Sequence, residues 1–449
     1  MKNKLALRSN INIALLLLSI ISFFPGSYSI DTWAQYSNAV NGTYSDWYGT
    51  GYTLVWRLLL ETIGSFSSLY FLQMTLYWTL IYNIAKHYSI SQFNYWIINT
   101  LGIFFLFIPQ YVMRDSLGFI FLGLLVIIAL KTPKVTTLRL SLFLLISALT
   151  LSLRSNLLVA MIPLFYIFYK TTINKKLVNA ALSILTPFIL IFFISTTDTY
   201  FFKAQKEYPA YKLRLLDISG VSISSGENYM PSCITQNPNY DYNKLKAEYT
   251  PASLDDLYWP PDNKSIFYRP DSALNSCVSK SWKTMIIQHP FLYLKNRIIG
   301  FTYYLKLNKR FESQEYWNVI NWIDPSAPFE VKTISSSIEE KYFDNLNQLH
   351  YLPIFSAWFW LLLNSILLCF FYLRFRNTRK YINLDVALVQ LMGVLYTLSQ
   401  LLIYQHDRDF RYSYPNIVIL LLAFLFFKNT RRMEEEKLNI TPPLVSESE

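Results

Sequence analysis

Cysteine, histidine and charge are all scarce in this chain. Its 449 residues include three cysteines and four histidines. The spacing of the cysteines excludes a compact zinc motif, and the scattered histidines make no metal cluster. No cofactor is therefore expected; a divalent cation is compatible with the chain, but no residue group indicates one. Only 15% of the residues are charged, which argues against a soluble protein of this length built from two or three domains with amphipathic helices. No unit recurs at a fixed period, so a repeat architecture is excluded as well.

What the chain does have is apolar length, with 53% of its residues in the hydrophobic classes. The runs lie at about 10 to 26, 68 to 86, 95 to 112, 116 to 130, 139 to 153, 155 to 169, 177 to 196, 354 to 374, 382 to 404 and 412 to 427. Several are near the lower end of the roughly 17 to 25 residues that a span requires. The expected fold class is an all-α polytopic membrane protein with about ten transmembrane helices. Lysine and arginine set the orientation, because short cytoplasmic loops retain them. With the N-terminus inside, Lys2, Lys4, Arg8, Lys86, Lys131, Lys134, Arg139, Lys170, Lys175, Lys176, Arg374, Arg376, Arg379, Lys380, Lys428, Arg431 and Arg432 all fall on one side. The formal charge of +11 then orients the protein in membrane lipid, and a nucleic-acid partner is not expected.

This topology divides the chain into an N-terminal transmembrane bundle (1–196) with an outward loop (27–67), an outward domain (197–353), C-terminal transmembrane helices (354–427) and a cytoplasmic tail (428–449). The outward domain is rich in Tyr, Asn, Ser and Pro and carries turn signals such as Asn-Pro-Asn, so a mixture of helix and loop is expected. Trp259, Trp282, Trp317 and Trp322 give it apolar bulk. Cys233 and Cys277 fall in this oxidising compartment and are candidates for a disulfide, with two independent buried thiols as the alternative. Cys369 falls in a span and is expected to be a small packing residue. The first apolar run is read as a retained anchor, with cleavage near Ser27-Tyr28-Ser29 as the alternative. The Glu434-Glu435-Glu436 run belongs to an end that is expected to be solvated and disordered.

Ionisable groups are costly at membrane depth, so the acidic clusters that punctuate the chain are its best pointers to a site. One runs from Asp31 to Asp46; the other is His406-Asp407-Arg408-Asp409-Phe410-Arg411. Both face outward in this topology. Between Gly51 and Phe66, the residues Tyr52, Val55, Trp56, Leu59, Leu60 and Ile63 recur at helical spacing, with Thr53, Arg57 and Glu61 opposite. The pattern predicts an amphipathic helix in the membrane interface. Pro290 to Leu307 has a similar pattern and is read either as a helix on the outer leaflet or as one packed within the outward domain.

The strings Ile30-Asp31-Thr32-Trp33-Ala34-Gln35-Tyr36, Ser45-Asp46-Trp47-Tyr48-Gly49 and Trp56-Arg57-Leu58-Leu59 resemble the first outward loop of bacterial C-type membrane glycosyltransferases (the GT-C superfamily). The order of a first span, an acidic loop, an interfacial helix, further spans and a late outward domain is similar too. Tyr48-Gly49 departs from that motif, where His-Pro is usual. Size, basic turns and paired outward cysteines are most similar to the enzymes that modify O-antigen with glucose. The resemblance implies a polyprenyl-phosphate-linked sugar as donor, lipopolysaccharide or another surface glycan as acceptor, and a site on the periplasmic face of the bacterial inner membrane.

Nucleotide sugars are absent outside the cytoplasmic membrane, so an outward-facing transferase must draw on a lipid carrier. Inverting transfer needs a carboxylate to take the acceptor's proton and cations to receive the departing phosphate. Asp31 is the expected base and Asp46 a second carboxylate orienting the acceptor, with helix capping as the alternative duty of Asp31. Arg408, Arg411, Arg114 and Arg154 are the expected phosphate ligands. Arg114 paired with Asp115, or a self-paired Asp407 to Arg411 loop, is the structural alternative. Trp33 and Trp47 are expected to stack on sugar faces, with Trp259 a further candidate. The alternative functions are an O-antigen polymerase and a transporter or flippase of lipid-linked sugars, the latter calling for mid-span charges and paired broken helices.

Overall fold

The computed structural model describes residues 2–87, 92–131, 136–170, 175–258, 265–307, 337–349, 351–403 and 410–424. Among these the fold is all-helical, with two isolated β-bridges, Ser27 to Tyr111 and Ser45 to Gln205, in place of a sheet. In chain order the first helices are α1 (Lys2–Phe23), α2 (Ile30–Asn41), α3 (Thr50–Ile63), α4 (Ser68–His87), α5 (Gln92–Phe104), α6 (Phe107–Gln110), α7 (Arg114–Lys131), α8 (Thr137–Leu153), α9 (Leu158–Tyr169) and α10 (Lys176–Tyr200).

Among the described residues three helices are long and apolar enough to cross a membrane: Lys176–Tyr200, Ala357–Thr378 and Tyr381–Leu402. This is compatible with a helical membrane protein, but it corrects the expected ten spans. Several of the other apolar runs are short or interrupted helices. At 1.5 Å per residue, α9 with 12 residues reaches about 18 Å and α8 with 17 residues about 26 Å, against a hydrocarbon core of about 30 Å. The run predicted at 95 to 112 breaks after Phe104 and resumes as the four-residue α6. Only 17% of the apolar window of Lys176–Tyr200 is buried inside the protein, so Leu177, Ile184, Phe188, Ile189, Phe192 and Phe193 lie outward on a face suited to lipid.

The bundle core joins α1, α4, α7 and α9 to the C-terminal hairpin through residues such as Trp78, Phe119, Phe165, Trp360 and Tyr396. A second core lies in the segment expected to face outward, where α11 (Ala210–Ser225), α12 (Ser232–Thr235), α13 (Tyr242–Glu248), α14 (Asp255–Tyr258), α15 (Ser272–Gln288) and α16 (Pro290–Tyr304) surround Tyr211, Leu215, Ile218, Ile234, Val278 and Met285. Cys233 and Cys277 are disulfide-bonded and tie α12 to α15. Buried Arg297 donates to Asp217 Oδ2 at 2.6 Å and Trp282 Nε1 to the same oxygen at 2.7 Å. The Asp217 carboxyl is pushed up by burial, against which Arg297 and Trp282 hold it down. α16 packs inward through Asn296, Arg297 and Gly300, while Phe291, Leu294 and Ile298 remain exposed.

The helix Ser337–Gln348 belongs with the bundle core through Phe343 and Leu346, although its sequence position falls in the outward segment. Cys369 is exposed on the apolar helix Ala357–Thr378, which corrects its expected packing role. Trp259, Trp317, Trp322, His406, Asp407, Arg408, Asp409 and the tail from 425 lie outside the described residues.

Candidate functional site

The site grows from how α2 begins. Ser29 caps the helix: its Oγ accepts from the Thr32 backbone N–H, and Thr32 Oγ1 accepts from the Ser29 N–H at 3.0 Å. This reciprocal box pairs the backbone N–H groups of Ser29 and Thr32. Asp31 sits inside the first turn, half-buried. The capping alternative for Asp31 is therefore corrected in favour of Ser29. Only the packed structure separates these neighbours, because both residue types are good caps.

Arg114 is brought alongside by a backbone tie. Ser27 N–H donates to the Gln110 carbonyl at 3.1 Å and the Val112 N–H to the Ser27 carbonyl at 3.0 Å. Beneath the tie, Ser27 Oγ and Gln110 Nε2 both donate to Glu339 Oε1, at 3.1 and 2.5 Å. Glu339 is 4% exposed. This carboxylate, set in the charged string Ser336-Ser337-Ile338-Glu339-Glu340-Lys341, carried no sequence signal, since such a pattern usually marks a solvated helix.

Arg114 Nη1 donates to the Trp47 carbonyl at 2.6 Å, and its guanidinium lies 5.7 Å from the Tyr48 ring centre. Burial pushes the Tyr48 phenol up to about 12; the negative charges of Asp31 and Glu207 add to the rise and Arg114 opposes it. One phenol thus feels Asp31, Glu207 and Arg114 together, and at neutral pH it is a protonated donor. Sequence reasoning missed Tyr48 as a functional residue, although the motif departure at Tyr48-Gly49 pointed at it. Gly49 has φ +79°, and a Cβ there would lie 2.2 Å from the Ser152 carbonyl oxygen. The proline usual in the resembling loop cannot take this backbone.

Asp46 is committed to structure. Its Oδ1 accepts from the Glu207 N–H at 2.7 Å, while its own N–H donates to the Gln205 carbonyl at 3.1 Å. Ser45 Oγ donates to Glu207 Oε1 at 2.6 Å. These bonds fasten the loop to the strand of chain leaving α10. They give Asp46 a positioning duty in the loop.

Arg154 is also committed. It forms an ion pair with Asp115, the two being 6% and 3% exposed, and its guanidinium lies 5.0 Å from the Tyr412 ring centre. Asp115 thus pairs with Arg154 in place of Arg114, and the expectation that Arg154 ligates phosphate is corrected by a buried pair that already balances its charge. Arg411 lies in the 3₁₀ turn Phe410–Ser413 beside Tyr412, and its side chain is outside the described residues, as is all of Arg408. Trp33 is 9% exposed and stacks on Phe66 at 5.5 Å, so it is a packing residue with its face already covered. Trp47 is half-buried, with its N–H donating to Ser45 Oγ at 3.0 Å.

α3 follows the loop as the spacing predicts, with Tyr52 and Trp56 buried and Arg57 paired to Glu61 at 2.7 Å on the outer face. Thr53, expected on that polar face, is fully buried. Among the described residues, no group of three or more His, Cys, Asp and Glu is placed to hold a metal ion. No family model, curated protein or solved structure matches this chain.

Proposed function

We propose that this protein is a membrane glycosyltransferase that moves a hexose, glucose being the expected one, from a polyprenyl-phosphate carrier to a surface polysaccharide such as lipopolysaccharide O-antigen. The reaction takes place at the periplasmic face of the bacterial inner membrane. The observation that carries this reading is the Tyr48 phenol, which feels the negative charge of Asp31 and has the Arg114 guanidinium 5.7 Å from its ring centre. A carboxylate beside a retained cation is what inverting transfer from a phosphate needs. Asp31 accepts the proton of the acceptor hydroxyl as it attacks the anomeric carbon, and the carbon–phosphate oxygen bond breaks. Arg114, with Arg408 and Arg411 as further proposed cations, stabilises the phosphate that departs, and the Tyr48 phenol donates to it.

The test is direct. Purified protein is incubated with polyprenyl-phosphate sugars and lipopolysaccharide, and the product is sought by mass. A hexose increment that disappears with Asp31→Asn supports the reading; no increment with any sugar rejects it.

A further inference from the structure

Four polar atoms between α2 and α3 have no hydrogen-bond partner in the protein: Gln35 Oε1, Tyr52 Oη, Thr53 Oγ1 and Trp56 Nε1. Their residues are all between 0% and 1% exposed. Folded proteins pair nearly all such groups, because a donor or acceptor kept from water without a partner is destabilising. Four on two helices packed against each other call for an occupant.

The helical geometry groups them. At 3.6 residues per turn, Tyr52, Trp56 and Thr53 fall within an arc of about 100° on α3. Gln35 is one turn beyond Asp31 and on the same side of α2. The rings of Tyr36 on α2 and Trp56 on α3 meet at 5.3 Å, and those of Tyr52 and Trp56 at 5.7 Å. Tyr52 also lies within electrostatic reach of Arg114. The arc therefore adjoins the carboxylate and cation of the candidate site.

Its chemistry is specific. Trp56 Nε1 only donates, Gln35 Oε1 only accepts, and the hydroxyls of Tyr52 and Thr53 do both. No member of the set carries charge, so the set itself does not recognise phosphate. Mixed neutral donors and acceptors against aromatic rings suit a ring that bears several hydroxyls and has apolar C–H faces.

We infer that the buried polar arc of α2 and α3 is a subsite for an uncharged polyhydroxylated ring, a hexose, held next to Asp31. The inference deepens the transferase reading and rests on it for the carrier, but not for the sugar.

Tyr52→Phe and Thr53→Val each remove one hydroxyl with little change of shape. Binding is followed by tryptophan fluorescence on the purified full chain, with a short isoprenyl-phosphate glucose, the bare isoprenyl phosphate and a panel of free hexoses as probes. Wild type should prefer the glucosylated carrier, and each variant should lower that preference about 2- to 10-fold, the worth of one neutral hydrogen bond. Affinity for the bare carrier should not move, and melting temperatures should hold or rise because a partnerless polar atom has been removed. If the carrier binds but wild type shows no preference for its glucosylated form, if both variants keep the preference, or if both melt earlier, the arc is structural and the inference fails. If wild type binds free hexoses, the variants bind them more weakly, and neither carrier form binds, the subsite stands and the transferase reading falls. If no hexose binds in any form, the subsite falls.

Discussion

Asp31 is the residue whose replacement separates chemistry from folding. Ser29 and Thr32 already cap α2, so Asp31→Asn keeps the cap and removes a charge in the first turn, whose interaction with the helix dipole is worth about 0.3 to 1 kcal/mol. Transfer should fall by about 100-fold or more, since an amide accepts no proton, while the melting curve moves little. Wild-type turnover would redirect the search for the base to Asp407 and Asp409. Arg114→Ala should lower transfer on the order of a hundredfold through the lost phosphate contact. Arg154→Ala should act on folding, because it strands buried Asp115 at a cost of about 3 to 5 kcal/mol. Comparing melting temperatures with rates separates the two arginines. Tyr48 adds a pH dependence. Its folded value lies above the ordinary phenol value, at about 12 against 10.0, so its contribution is fully present below pH 10 and is lost as pH rises from 10 to 12. Tyr48→Phe should therefore flatten the alkaline loss of stability in that window, and an unchanged slope would show that other tyrosines set it.

At the scale of elements, the disulfide between α12 and α15 closes a separation of 44 residues. Its removal by Cys233→Ser with Cys277→Ser should destabilise the outward core by about 2 to 4 kcal/mol. Hydrogen exchange should show the loss in α11 to α16 and leave the bundle protected, because the two regions have separate cores. Exchange that quickens equally in both would mean that they unfold together. The turn into α3 is a sharper test of local geometry. Gly49→Pro would bring this chain closer to the resembling motif, yet a φ of +79° is closed to proline. Loss of folded protein on expression is the expected outcome; a stable, active variant would show that the turn can be rebuilt.

For the whole molecule, the proposed orientation places the outward core and the basic helix ends on opposite sides of one membrane. Single cysteines in place of exposed Ser224 and exposed Arg376, in a background lacking Cys369, should label with an impermeant thiol reagent from outside at position 224 only. Labelling at 376 instead would invert the protein and remove the argument for a lipid-linked donor. The same experiment bears on the spans. Among the described residues three helices meet the length and apolarity needed, and the shorter α8 and α9 bury Phe143, Phe165 and Phe168.

Composition and periodicity were enough for the all-helical class, for the amphipathic α3 and for Cys233 and Cys277 as a candidate pair, because these depend on local pattern and residue type. The span count was not legible in the same way. Hydropathy registers an apolar run whether or not it breaks, and only the structure places the interruption after Phe104. Nor were the partners of charged residues. Asp115 takes Arg154 in place of adjacent Arg114, Asp46 takes the Glu207 backbone 161 residues away, and Glu339 reaches Ser27 across 312. Separations of that size leave no mark on spacing, since nothing in a one-dimensional pattern states which turns meet. The candidate site was therefore half visible: the acidic loop and its arginines could be named from residue type, but Tyr48, Glu339 and the polar arc of Gln35, Tyr52, Thr53 and Trp56 acquire meaning only when packing has removed water and decided which groups have a partner.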